Sequence, residues 1–140
     1  NIVLDEKILD FGSGSGILSI SSKIFGAGYV LGVDIDDLAI DNASYNSKLN
    51  GLNIPFINVS SFSTNQLFDT VISNILSSTL INLSPVFDAV TKRRLILCGI
   101  LDKQVDQVIT EYSKWIQLKQ TNRKKQKASS QFEKNKNRSR

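Results

Sequence analysis

Apolar residues fall in short runs separated by stretches with helical spacing, and that alternation persists for most of the chain. Residues 8–11 form an apolar run stopped by Gly12, which predicts a buried strand. Ile17, Leu18, Ile20, Ile24 and Phe25 recur at helical spacing, and Gly26 and Gly28 end that helix. Residues 29–33 predict a second strand, ending at Asp34. Asp36 and Asp37 suit the unpaired N–H groups of a helix start. Leu38, Ile40, Ala43 and Leu49 carry that helix to Asn50 and Gly51. Residues 56–59 and 70–75 predict a third and a fourth strand. A helix is expected over 80–90, with Pro85 starting a new turn or kinking it. Residues 94–98 give a fifth strand stopped by Gly99; Leu101, Val105, Val108, Ile109 and Tyr112 mark a last helix, with Trp115 and Ile116 near its end. Strands alternating with helices imply right-handed crossovers and a mainly parallel α/β sheet flanked by helices.

From Lys119 the periodicity stops, and Phe132 is the sole large apolar residue over 119–140. Such a segment buries too little surface to offset chain entropy, so the expectation is a core over 1–118 and a disordered tail over 119–140. Charge divides at the same place. Residues 1–118 hold eight basic and twelve acidic side chains, whereas 119–140 hold nine basic and one acidic. The basic run at 123–127 suggests a weak, salt-sensitive contact with RNA. No apolar stretch has the length of a membrane span. Asn1 opens the chain without a signal-peptide pattern, so the sequence is expected to begin inside a longer gene product.

The chain has no histidine and a single cysteine, Cys98. His-based triads, His general bases and His-ligated zinc are therefore excluded, no metal site is expected, and a reducing, cytoplasmic setting fits. The strongest candidate chemistry is DFGSGSG, residues 10–16, between a strand and a helix. Its glycines permit a tight turn and let a ligand touch the backbone. The dinucleotide pattern G-x-G-x-x-G needs glycine where Ile17 stands, so an NAD enzyme is a poor reading. Asp10, at the end of the first strand, suits a ligand carrying an ammonium and would repel a pyrophosphate. Asp34, at the end of the second, can accept both ribose hydroxyls of an adenosine; Asp36 is expected as a helix cap. Asn74 ends the fourth strand, where ligands lie in open parallel sheets.

The segments LDFGSGSGILSI, LGVDID, SNIL and LILCGILDKQ resemble the catalytic domain of the PrmA-type ribosomal-protein methyltransferases over roughly residues 5–116. The resemblance implies a Rossmann-like methyltransferase fold and S-adenosylmethionine as cofactor. It also implies methylation of amino groups, lysine included, on large-subunit ribosomal protein eleven. Asp10, Gly12, Ser13, Gly14, Asp34, Ile35 and Asn74 are the expected cofactor residues, with Asn74 also the methyl-transfer locus, and Ser60 or Ser61 is expected near the adenine. Nucleic-acid amino-methyltransferases carry N-P-P-aromatic where Asn74, Ile75 and Leu76 stand, which argues against a base substrate. The family's N-terminal recognition domain and its G-T-G-x-H-x-T-T segment are missing. Its last two strands are expected to be absent, with WIQL at 115–118 the only trace. Two alternatives stand beside this reading. One is a non-catalytic module of the same fold acting through its basic tail; the other is a methyltransferase of another protein or of a small-molecule amine.

Overall fold

The computed structural model describes residues 4–124 and 127–134, with backbone alone at 123, 124 and 127. The chain falls into two compact units that divide after Ser63.

In the first unit, β1 (Lys7–Phe11) is buried at every position after Lys7, and β2 (Tyr29–Asp34) along its four central residues. Uninterrupted burial of this kind belongs to parallel strands covered on both faces. With β3 (Phe56–Asn58) they pair in parallel in the order β3-β2-β1, joined by α1 (Ile17–Ile24) and α2 (Asp37–Leu49). The register sets Phe11 beside Val33 and Asp34 beside Asn58, so the carboxyl ends of all three strands finish together. Asp36 caps α2 as expected, its side chain accepting from the Leu38 amide at 2.9 Å.

The second unit holds β4 (Phe68–Asn74), α3 (Ser77–Asn82), α4 (Ser84–Val90), β5 (Thr91–Leu101), α5 (Val105–Tyr112), β6 (Gln117–Lys124) and β7 (Lys127–Glu133). Pro85 resolves the expected helix over 80–90 into two, because it sits in the first turn of α4, where its missing N–H costs nothing. Phe87, Tyr112 and Phe132 are fully buried, with ring centroids 6.4 and 5.7 Å apart on either side of Tyr112. The Tyr112 hydroxyl donates to the Leu80 carbonyl at 2.6 Å, and the Trp115 indole to the Ser84 hydroxyl at 2.9 Å.

Two expectations are corrected here. The last two strands are present, and the segment after 118 is not a disordered tail over its described residues. β4 and β5 run parallel, but β7 lies antiparallel to β5, with β6 antiparallel beyond it, so this unit's sheet is mixed. The strand signal in β7 has period two: Ala128, Ser130 and Phe132 point inward and are at most 4% exposed. Two of those three side chains are small or hydroxylic, so a search for bulky apolar residues passes over them. Lys134 extends the pattern, bonding the Asp88 carbonyl and carboxylate at 2.8 and 3.0 Å with its ammonium 5.0 Å from the Trp115 ring centre. Residues 125–126 and 135–140, and the side chains of the basic run at 123–127, lie outside the described residues.

Candidate cofactor site

Between β1 and α1 the backbone makes a turn that three glycines permit: Gly12, Gly14 and Gly16 have φ of 82°, 53° and 82°. The amides of Gly12 and Ser13 both donate to the Val33 carbonyl, at 2.7 and 3.0 Å, and Gly16 closes the turn onto the Ser13 carbonyl at 2.8 Å. The glycines face different surroundings. A Cβ at Gly16 would stand 3.0 Å from Ala43 and Phe56, whereas a Cβ at Gly14 would meet nothing within 4 Å. Gly16 thus serves packing, and Gly14 borders open space.

Asp34 ties this turn to the end of β2. One carboxylate oxygen accepts from the Gly14 amide at 2.8 Å and the other from the Asp36 amide at 3.0 Å. Each oxygen keeps further acceptor capacity, since a carboxylate offers about four lone-pair sites. Ile35 follows with 79% of its surface exposed. Asp10 lies 1% exposed beneath the turn. Its Oδ2 accepts from the Ser19 hydroxyl at 2.7 Å, while Oδ1 and the Ser13 hydroxyl are buried with no hydrogen-bond partner among the described residues. Burial pushes the Asp10 carboxyl up from 3.8 to about 6; the Ser19 hydrogen bonds oppose that rise, and the Asp34 charge adds to it.

Six of the expected residues, Asp10, Gly12, Ser13, Gly14, Asp34 and Ile35, therefore converge at the carboxyl ends of β1 and β2. Asn74 belongs to the second unit and is exposed at the carboxyl end of β4. Its side-chain oxygen occupies the space that a Cβ at Gly99 would take, and Gly99 itself has φ of 75°. Ser60 and Ser61 are exposed in a 3₁₀ turn after β3. Two polar contributors escape a reading of the sequence. Ser19, the partner of Asp10, lies within an otherwise apolar helix start, and that out-of-place hydroxyl is its only signal. Asn58 binds the loop after β2 through its side chain, for which the sequence offers no cue beyond an Asn at a strand end.

A glycine turn opening the first helix, together with an acid at the end of the second parallel strand, defines the Rossmann-like, nucleoside-binding class of α/β protein. Solved structures narrow this to the methyltransferase form of that fold. The ribosomal protein L11 methylase from Lactobacillus delbrueckii subsp. bulgaricus superposes with a TM-score of 0.88 at 27% identity, over 94% of this chain and 71% of that one. Magnesium protoporphyrin IX methyltransferase from Synechocystis, solved with bound SAM, shares the fold at TM-score 0.73 and 19% identity, over 94% and 71%. The family model for ribosomal protein L11 methyltransferase (PrmA) matches residues 2–135. The chain belongs to that family. Ribosomal protein L11 methyltransferase from Methylobacillus flagellatus is 42% identical over 116 residues, 81% of this chain and 39% of the relative. The one from Neisseria gonorrhoeae is 39% identical over 115 residues, again 81% and 39%. The chain thus spans about two-fifths of the length of these curated relatives.

Among the described residues no cluster of His, Cys, Asp and Glu has the makings of a metal site, and no helix is long and apolar enough to cross a membrane.

Proposed function

We propose that this chain is the S-adenosylmethionine-binding core of a cytoplasmic enzyme that methylates amino groups of a ribosomal protein, L11 by its family. The observation that carries the reading is the pairing of Asp34 with the glycine turn: a carboxylate fixed by two backbone amides and still able to accept more, next to open space at Gly14. The residues fit the cofactor. Asp34 would take the two ribose hydroxyls, and the exposed Ile35 side chain gives the adenine an aliphatic face. Gly14, with nothing within 4 Å of where a Cβ would stand, leaves the turn open to close approach there, and Gly12 and Ser13 form the rest of it. Asp10 Oδ1 and the Ser13 hydroxyl, both buried without partners among the described residues, fit a polar ligand group, and an amino-acid ammonium suits the carboxylate.

When bound, S-adenosylmethionine supplies a methyl carbon already activated by its sulfonium. The protein's part is to hold an acceptor amine in line and unprotonated. Asn74, its side chain braced against Gly99, is the proposed hydrogen-bonding locus for that amine. Orientation of this kind supplies roughly 7–11 kcal/mol in well-aligned cases. A lysine amine loses its proton more readily as it is desolvated, which suits a chain without histidine.

Titration calorimetry with S-adenosylhomocysteine tests the cofactor step. The wild-type chain is expected to bind, and Asp34→Ala to lose about a hundredfold or more. That figure follows from two hydrogen bonds to a charged acceptor at roughly 1.5–3 kcal/mol each. Undiminished binding by the variant would remove the foundation of the proposal.

A further inference from the structure

Outside the residues assigned to the cofactor, one side chain makes an unusual set of bonds. Asn58 stands directly beside Asp34 in the register of β2 and β3. Its amide nitrogen donates to the Ile35 carbonyl at 3.2 Å and to an Asp37 carboxylate oxygen at 2.8 Å. Its carbonyl oxygen accepts from the Ser60 amide at 3.0 Å. One neutral amide therefore connects the loop that carries Asp34 and Ile35 to the turn after β3. The loop 34–37 contains three carboxylates, at Asp34, Asp36 and Asp37. Asp34 and Asp36 already accept from backbone amides within the unit. That leaves Asp37, and the carbonyl of Ile35, for the donors of Asn58.

We infer that Asn58 is a positioning residue for the cofactor: by bonding Ile35 and Asp37 it fixes the loop after β2, and so the approach of Asp34 and Ile35 to an adenosyl ligand. The inference rests on the cofactor reading above. An acid at position 58 could still accept from the Ser60 amide, so the turn after β3 would survive. It could not donate to Ile35, and its charge would face that of Asp37. The pair admits a reciprocal exchange, because an Asn at 37 can donate to an Asp at 58.

The test compares Asn58→Asp, Asp37→Asn and the double variant in the full 140-residue chain. S-adenosylhomocysteine affinity is read by calorimetry, and hydrogen–deuterium exchange over residues 34–40 is read without ligand. Asn58→Asp is expected to bind about tenfold more weakly and to exchange faster over that loop, as loss of a hydrogen bond to a charged partner predicts. The double variant is expected to recover part of the lost affinity, because the bond between 37 and 58 returns while the one to the Ile35 carbonyl does not; a general loss of structure would allow no recovery. Should Asn58→Asp not fold, Asn58→Ala carries the same affinity and exchange comparison. Wild-type affinity and exchange in the single variant overturn the inference, as does a double variant no better than Asn58→Asp. A wild-type chain that fails to bind S-adenosylhomocysteine overturns the cofactor reading, and this inference with it; a binding wild type with an indifferent position 58 overturns this inference alone.

Discussion

Replacing Asp10 by Asn separates what the fold prefers from what the cofactor needs. Asp10 is 1% exposed, with Oδ1 unpartnered among the described residues. Burial above all moves its pKa from 3.8 to about 6. Between those two values the folded chain holds a proton that the unfolded chain has released. Stability from this group is therefore complete below about pH 4 and is lost as pH rises through 6. A rise of about two units corresponds to about 3 kcal/mol of destabilisation at pH 7.5 and about 1 kcal/mol at pH 4.5. Asn keeps an oxygen for the Ser19 hydroxyl but leaves its own N–H donors buried, which returns about 1–2 kcal/mol of that gain. The variant is thus expected to be about 1–2 kcal/mol more stable than wild type at pH 7.5, with its advantage falling by about 2 kcal/mol at pH 4.5. Urea denaturation of both proteins at the two pH values measures this directly. Affinity for S-adenosylhomocysteine should move the other way, falling about tenfold in the variant as a charge-assisted partner for the ligand ammonium is lost. A stability difference that does not change with pH would refute the account of Asp10 as a buried, strained anion. Equal ligand affinity would refute its assignment to the cofactor.

The remaining expectations concern the second unit and are checked by equilibrium denaturation and binding. Phe132→Ala is expected to cost about 3–5 kcal/mol, as for a fully buried aromatic, and a change of less than 1 kcal/mol would return this segment to the status of a loose tail. Gly99→Ala forces an L side chain to φ of 75° and onto the Asn74 oxygen; a loss of about 1–2 kcal/mol is expected, and in the complete enzyme a fall in turnover larger than the change in cofactor affinity.

The α/β order of elements could be read from the sequence because β1 and β2 are short, largely apolar runs, β4 keeps the β-branched Thr70, Val71 and Ile72 at its centre, and helical spacing recurs between strands. The glycine turn was legible for a related reason: few other residues tolerate φ of 82° and 53° in succession. What escaped was written in residue types without a hydropathy signal. β7 turns Ala128 and Ser130 inward, and side chains that small carry little strand signal. Asn58 and Ser19 act through hydrogen bonds to partners 21 and 9 positions away, and only the register of strands and helices reveals such pairs. Pro85 was ambiguous because a first-turn proline and a kink look alike until the helix boundary is known.

The position of β7 between β5 and β6 has a consequence for biosynthesis. A ribosome makes the outermost strand before the one that joins it to the rest, so β6 emerges with no partner and waits for residues 127–133 to turn back into the gap. Until then the flank of β5 stays open to any other strand that can pair with it. A stop codon or frameshift after 118 would therefore strip away more than a terminal ornament, releasing a sticky intermediate for proteases and chaperones to remove.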